Sequence, residues 1–224
     1  MTSTVKICGL ATAATLEAAL DAGADMVGLV FFAKSPRFVG LDHAHELATQ
    51  ARGRAKIVAL TVDADDDLLA AIVRVVGPDM LQLHGGETPQ RVAAIKRALG
   101  LPAMKAIGVA EAADFDRARD FEAVVDWLLI DAKPPKDAAL PGGNGRPFDW
   151  RLARDFAPKV PWLLSGGLDA DNVGEAIALS GARGVDVSSG VERAPGVKDE
   201  KKIAAFVAAA RAALAREHEA RSPA

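Results

Sequence analysis

The sequence predicts an α/β fold, a single (β/α)8 TIM barrel of the ribose-phosphate-binding type, and two observations carry that expectation. Short apolar runs rich in Val, Ile and Leu recur eight times in the 224 residues, each followed by an Ala/Leu/charge-rich stretch with helical spacing. Such alternation builds a parallel sheet with crossover helices, and about 28 residues per unit agrees with the ~30 that a βα unit takes. Eight units favour closure over an open doubly wound sheet, because closure removes the sheet edges and rings one strand set with helices.

Taken in order, strands are expected near 4–8, 25–31, 56–62, 79–84, 103–109, 125–131, 160–165 and 183–188. Helices are expected near 13–23, 41–52, 66–76, 88–99, 111–120, 148–157, 170–180 and 199–215. Thr88-Pro89 and Asp169-Ala170-Asp171 are start signals for two of them. No composition break divides the chain, so residues 1–215 read as one barrel domain and 216–224 as a charged, fraying tail. The two longest irregular stretches, 32–40 and 132–147, both follow the C-terminal end of a strand, the end whose loops carry chemistry in such barrels.

A formal net charge of −3 supplies no basic field for nucleic acid. One cysteine can form neither an internal disulfide nor a zinc cluster, which suits a reducing compartment. The N-terminus lacks the basic and apolar regions of an export signal, and no apolar run approaches ~18 residues. The expectation is a cytoplasmic protein with no membrane span.

Several strand ends carry residues suited to chemistry. Cys8 closes Val5-Lys6-Ile7-Cys8-Gly9, with Lys6 two positions earlier on the same face. A thiol acts as base or nucleophile only when ionised, from an ordinary pKa near ~8.5, and a nearby ammonium favours that form. Taken alone, a single cysteine is more often a small buried hydrophobe. Lys6 has two readings, depressing the thiol pKa or pairing with a barrel carboxylate such as Asp186. Arg37, in Phe31-Phe32-Ala33-Lys34-Ser35-Pro36-Arg37, offers a planar fork for a carboxylate; its plainer reading is a solvated loop arginine.

Gln82 and His84 alternate with leucines at the end of the fourth strand, and polar groups facing a barrel interior are costly unless partnered. His43, His45 and His218 fall on helices at no metal-ligand spacing and read as surface residues. Asp131 ends the sixth strand, where partial burial would raise its pKa enough to hold a proton as a general acid; a loop or cap aspartate is the alternative. The loop after it contains Pro141-Gly142-Gly143-Asn144-Gly145, flexible enough to close over a ligand. Leu164-Ser165-Gly166-Gly167 and Asp186-Val187-Ser188-Ser189-Gly190-Val191 follow the seventh and eighth strands, the usual phosphate position in these barrels.

Together these segments resemble the phosphoribosylanthranilate isomerase family over essentially the whole chain. The resemblance rests on Lys6-Ile7-Cys8-Gly9, Ser35-Pro36-Arg37, Gln82-Leu83-His84-Gly85, Pro141-Gly142-Gly143 and Phe148-Asp149-Trp150. It continues through Leu164 to Leu168, Asp186 to Glu192, and Pro195-Gly196-Val197-Lys198-Asp199. It implies Cys8 as general base, Asp131 as general acid, and Arg37 as the holder of the anthranilate carboxylate. It also implies Gln82, His84 and Asp186 as further substrate contacts, with phosphate on the backbone amides around Gly166, Gly167, Ser189 and Gly190. In the loop after the sixth strand, Asn144 departs from the small hydroxyl residue more usual in the family between the glycines at 143 and 145, which bears on loop closure alone.

The implied reaction is the Amadori rearrangement of N-(5-phosphoribosyl)anthranilate, a step of tryptophan biosynthesis that needs neither metal nor redox cofactor, and the implied partner is a phosphorylated small molecule, with the chain a monomer or homodimer. Two other readings stay open. An indole-glycerol-phosphate synthase-like barrel would want an additional catalytic lysine, for which Lys6 and Lys105 are the candidates. A non-catalytic phosphate-sugar binding protein would have no use for an acid and a base on opposite strands.

Overall fold

All eight expected strands form. A computed structural model, describing residues 3–133 and 147–221, closes them into one parallel barrel in chain order. They are β1 (Thr4–Cys8), β2 (Met26–Val30), β3 (Lys56–Thr61), β4 (Met80–Leu83), β5 (Ala103–Val109), β6 (Trp127–Ala132), β7 (Trp162–Leu164) and β8 (Gly184–Val187). β8 pairs back onto β1, with Lys6 beside Asp186. Around them lie α1 (Ala13–Asp21), α2 (Leu41–Ala51), α3 (Asp66–Val76), α4 (Pro89–Leu99), α5 (Asp114–Arg119), α6 (Val173–Ser180) and α7 (Glu200–Arg221).

The period of two along each strand sorts the core into two layers. Val5, Ile7, Val27, Leu29, Ile57, Leu81, Ile107 and Ile130 pack outward with the apolar faces of the helices. Met26, Val58, Met80, Met104, Leu129 and Leu163 pack together as the floor of the barrel interior. Two residues further along three of those strands the interior turns polar: Gln82 follows Met80, Asp131 follows Leu129 and Ser165 follows Leu163, all three buried. The apolar floor therefore supports a polar layer at the C-terminal mouth.

At the opposite, N-terminal rim a repeated device ties strands in couples. The residue before β2, β4 and β6 is an aspartate, and each accepts a backbone N–H from the preceding strand. Val5 donates to Asp25 at 2.7 Å, Ile57 to Asp79 at 2.7 Å and Ala103 to Asp126 at 2.8 Å. The corresponding position before β8 is Arg183, whose side chain has no acceptor. Helix starts follow ordinary capping chemistry: Thr12, Asp65 and Thr88 accept from the N–H groups of Thr15, Leu68 and Arg91, and Pro89 opens α4.

Three elements differ from expectation. The helix expected over 148–157 is a single 3-10 turn, Trp150–Ala153. Phe156 instead packs against Phe115 and Trp162, with ring centroids 4.8 and 5.5 Å away, and Pro158 disfavours helix just beyond. A short antiparallel hairpin, β9 (Glu192–Ala194) and β10 (Val197–Lys198), turns at Pro195-Gly196 after β8. The last helix continues past 215, where the tail was expected to begin, through Arg221. Pro141-Gly142-Gly143-Asn144-Gly145 lies outside the described residues. Among those residues, no helix is long and apolar enough to cross a membrane.

Candidate active site

Cys8 sits buried at the C-terminal end of β1, in register with Gly28 of β2. A Cβ at Gly28 would come within 2.8 Å of the Cys8 Sγ, so glycine is what leaves the thiol its place. Burial pushes the thiol pKa up, while the ammonium groups of Lys6 and Lys198 pull it down and Asp186 adds to the rise; the net direction is up. The expected pull of a nearby ammonium on the thiol is present, but burial outweighs it. Both readings of Lys6 hold in part. Its Nζ donates to Asp186 at 2.7 Å with both groups buried, and it also acts on Cys8. Burial opposes the Lys6 charge, yet Asp186 and Cys8 overcome it and raise the lysine pKa. The other Asp186 oxygen accepts from Ser165 Oγ at 3.2 Å.

Across the barrel, β4 and β6 deliver a second chain of polar groups. Gln82 Nε2 lies 3.1 Å from His84 Nδ1, and His84 Nε2 lies 3.3 Å from Asp131 Oδ2. The other Asp131 oxygen accepts the Ala132 N–H at 2.8 Å. Gln82 Oε1 is buried without a hydrogen-bond partner among the described residues, an unmet acceptor in the polar layer. His84 and Asp131 are thus neighbours, an arrangement that alternation within single strands could not reveal.

Lys105 lies elsewhere. Its neighbours Ala103, Ile107 and Val109 belong to the outer layer, whereas Met104 belongs to the floor, so Lys105 points away from the interior. Its Nζ donates to Glu87 at 2.9 Å and to the Leu83 and Gly85 carbonyls, and it lies 5.8 Å from the Phe121 ring centroid. From outside the barrel it fixes the backbone on either side of His84. The catalytic lysine that a synthase-like reading would draw from Lys105 is removed on this ground.

Arg37 is 6% exposed, which overturns the solvated-loop reading. Its Nε and Nη2 donate to Glu192 at 2.7 and 2.9 Å, a two-pronged bond along one edge of the guanidinium. Glu192 also accepts from Lys198 Nζ at 2.9 Å. Burial alone would raise the Glu192 pKa; Arg37 and Lys198 hold it below the usual value. The Lys198 pKa is lowered by burial despite Glu192. Sequence reasoning gave Glu192 and Lys198 no role. The Pro-Gly turn between them was the available signal, since it predicts a hairpin that brings its two flanks together.

Gly166 and Gly167, just beyond β7, have φ of +89° and +68°. Among the described residues neither N–H makes a turn or loop backbone hydrogen bond. Ser189 and Gly190 begin a 3-10 turn after β8, and a Cβ at Gly190 would collide with the Leu168 carbonyl. The two loops therefore touch, and both follow β7 and β8 at the mouth. His43, His45 and His218 are exposed.

The closed barrel, with its polar layer confined to the C-terminal mouth, is the framework of a (β/α)8-barrel enzyme. The family profile described as N-(5'phosphoribosyl)anthranilate (PRA) isomerase matches residues 5–209, and the chain belongs to that family. The N-(5'-phosphoribosyl)anthranilate isomerase of Rhodopseudomonas palustris (strain BisB5) is 58% identical over 212 residues, covering 95% of this chain and 97% of the relative. A crystal structure of phosphoribosyl anthranilate isomerase in complex with reduced 1-(o-carboxyphenylamino)-1-deoxyribulose 5-phosphate superposes with a TM-score of 0.80 at 30% identity, covering 95% of this chain and all of that one. Monomers generated from the dimeric Thermotoga maritima enzyme superpose with a TM-score of 0.79 at 31% identity and the same coverage.

Proposed function

We propose that this chain converts N-(5-phosphoribosyl)anthranilate into 1-(2-carboxyphenylamino)-1-deoxyribulose 5-phosphate by an acid–base Amadori rearrangement. The observation that carries the reading is the pairing of two buried groups of opposite task at one mouth. Cys8 ends β1 and Asp131 stands beside His84 on β6, within a barrel of this family.

In this reading Asp131 gives a proton to the furanose ring oxygen. The C1–O bond breaks, the nitrogen lone pair forms an iminium, and the positive charge makes the C2 proton acidic. Cys8 then takes that proton, and the enolamine tautomerises to the ketone. A neutral thiol in the unliganded site is compatible with this order. The iminium places a cation close to Sγ at the moment a thiolate is needed, reinforcing Lys6 and Lys198. Positioned acid and base groups contribute roughly 10²- to 10⁴-fold each, and anchoring both ends of the substrate supplies much of the rest.

Arg37 keeps its Nη1 edge for the anthranilate carboxylate after Glu192 has taken the other. Gln82, through its unmet Oε1, His84 and Asp186 contact the substrate, and Asp186 also holds Lys6 in place. Phosphate sits on the amides around Gly166, Gly167, Ser189 and Gly190. The synthase-like alternative is weakened because Lys105 faces outward and Lys6 is locked to Asp186. A pure binding protein would leave Cys8 and Asp131 without a task. We assign the enzyme to the cytoplasm because its lone thiol must stay reduced, and of monomer and homodimer the latter has a precedent in the Thermotoga maritima relative.

The test is a fluorescence assay following loss of phosphoribosylanthranilate with purified protein and no added metal. Turnover at enzymatic rates is expected, and its absence would reject the assignment.

A further inference from the structure

Glu192 and Lys198 are buried charges to which the reaction gives no proton to carry. Burying an ion is costly unless it is fully paired, so charges retained at a mouth ask for a reason. Glu192 grips one edge of the Arg37 guanidinium through two bonds. Lys198 bonds the same carboxylate and reaches back to Ser188, donating to its carbonyl at 2.8 Å and lying 3.2 Å from its Oγ. Ser188 is the residue immediately before the Ser189-Gly190 turn. The hairpin that carries both charges presses on the Arg37 loop: Gly196, at φ +79°, lies so close that a Cβ there would collide with the Pro36 carbonyl. Lys202, near the start of α7, fastens the hairpin from behind by donating to the Glu192 carbonyl at 2.8 Å.

These bonds form one continuous chain from Arg37 through Glu192 and Lys198 to Ser188. We propose that Glu192 and Lys198 are positioning residues that join the carboxylate anchor and the phosphate loop into one rigid gauge, which sets the distance between the two anionic ends of an accepted substrate. The inference rests on the reading of Arg37 as the carboxylate anchor. Charge supports it as well. Lys6 and Asp186 cancel, whereas Arg37, Glu192 and Lys198 together keep one positive charge, matched to a single carboxylate.

The test compares Arg37→Ala, Glu192→Gln, Lys198→Met and the Arg37→Ala/Glu192→Gln double variant in steady-state kinetics, with inorganic phosphate as a competitive inhibitor. Glu192→Gln keeps shape and one acceptor; it is expected to raise KM about tenfold, leave kcat within about threefold and leave phosphate inhibition within about twofold. Lys198→Met is expected to raise KM and to weaken phosphate inhibition about fivefold or more, since it also releases Ser188. The double variant should be no worse than Arg37→Ala alone, because Glu192 acts through Arg37. Glu192→Asp, which keeps the charge, should recover part of the lost KM.

Full additivity in the double variant, or an unchanged KM in a folded Glu192→Gln protein, would overturn the gauge. An unchanged KM in Arg37→Ala would instead remove the carboxylate anchor itself. Circular dichroism melting of each variant separates these results from unfolding.

Discussion

The two ends of the barrel use carboxylates in opposite ways. At the N-terminal rim Asp25 and Asp126 are partly exposed, and each holds one backbone N–H and one surface cation, Arg211 or Lys96. At the mouth Asp186 and Glu192 are buried and held by buried lysine or arginine. A half-solvated carboxylate bonded to an amide is an inexpensive fastener. A buried ion pair contributes little net stability, because desolvation cancels most of the attraction, yet losing one partner strands the other. The rim is therefore built for holding strands, and the mouth keeps charges whose worth lies in what they orient.

That contrast can be broken or sharpened in order of expected effect. Asp131→Asn and Cys8→Ala should each lower kcat by about 10²- to 10⁴-fold while far-UV circular dichroism keeps its mixed α/β form. Near-wild-type turnover in either would take that residue out of the mechanism. Arg37→Ala should act mainly on KM, raising it by about tenfold or more, and initial-rate measurements across substrate concentration separate this from a fall in kcat.

The pH profile follows from the direction of the thiol shift. Burial holds the Cys8 pKa above its ordinary value, and the base must be deprotonated, so kcat/KM of the free enzyme should climb as pH rises above neutral. Removing the Lys198 charge takes away a group that lowers that pKa, so Lys198→Met should move the climb to higher pH. A profile flat from neutral through alkaline pH would contradict a buried thiol as base. The smallest effect belongs to the rim. Asp126→Ala should cost about 1 kcal/mol and lower Tm by a few degrees with kcat unchanged, read by thermal melting and the same activity assay.

Much of this was legible in the residues. Strands with period-two alternation and helices with clear caps stand within a few residues of expectation, and Cys8, Gln82, Asp131 and Asp186 all belong to the buried layer. Among pairings between distant segments, Lys6 with Asp186 was the one offered as a reading, and the others could not be read. Nothing local says that the Arg37 fork meets Glu192, 155 residues away, or that His84 reaches Asp131. Lys105 stood only as a candidate for the synthase-like alternative, and its place beside apolar Ala103 and Ile107 in the alternation put it on the outer face. The helix expected over 148–157 failed for a different reason, with aromatic packing of Phe156 overriding helix propensity.

The rim aspartates recur before β2, β4 and β6, but Arg183 stands before β8, and β7 and β8 share a single register pair where β2 and β3 share five. The seam least tied from below is thus the one whose upper loops are proposed to receive phosphate. Ligand bound at the top would do for that seam what an aspartate does for the other three. Amide hydrogen exchange in β7 and β8 should accordingly slow on adding phosphate more than in any other strand couple, making this seam the part of the barrel whose breathing reports occupancy.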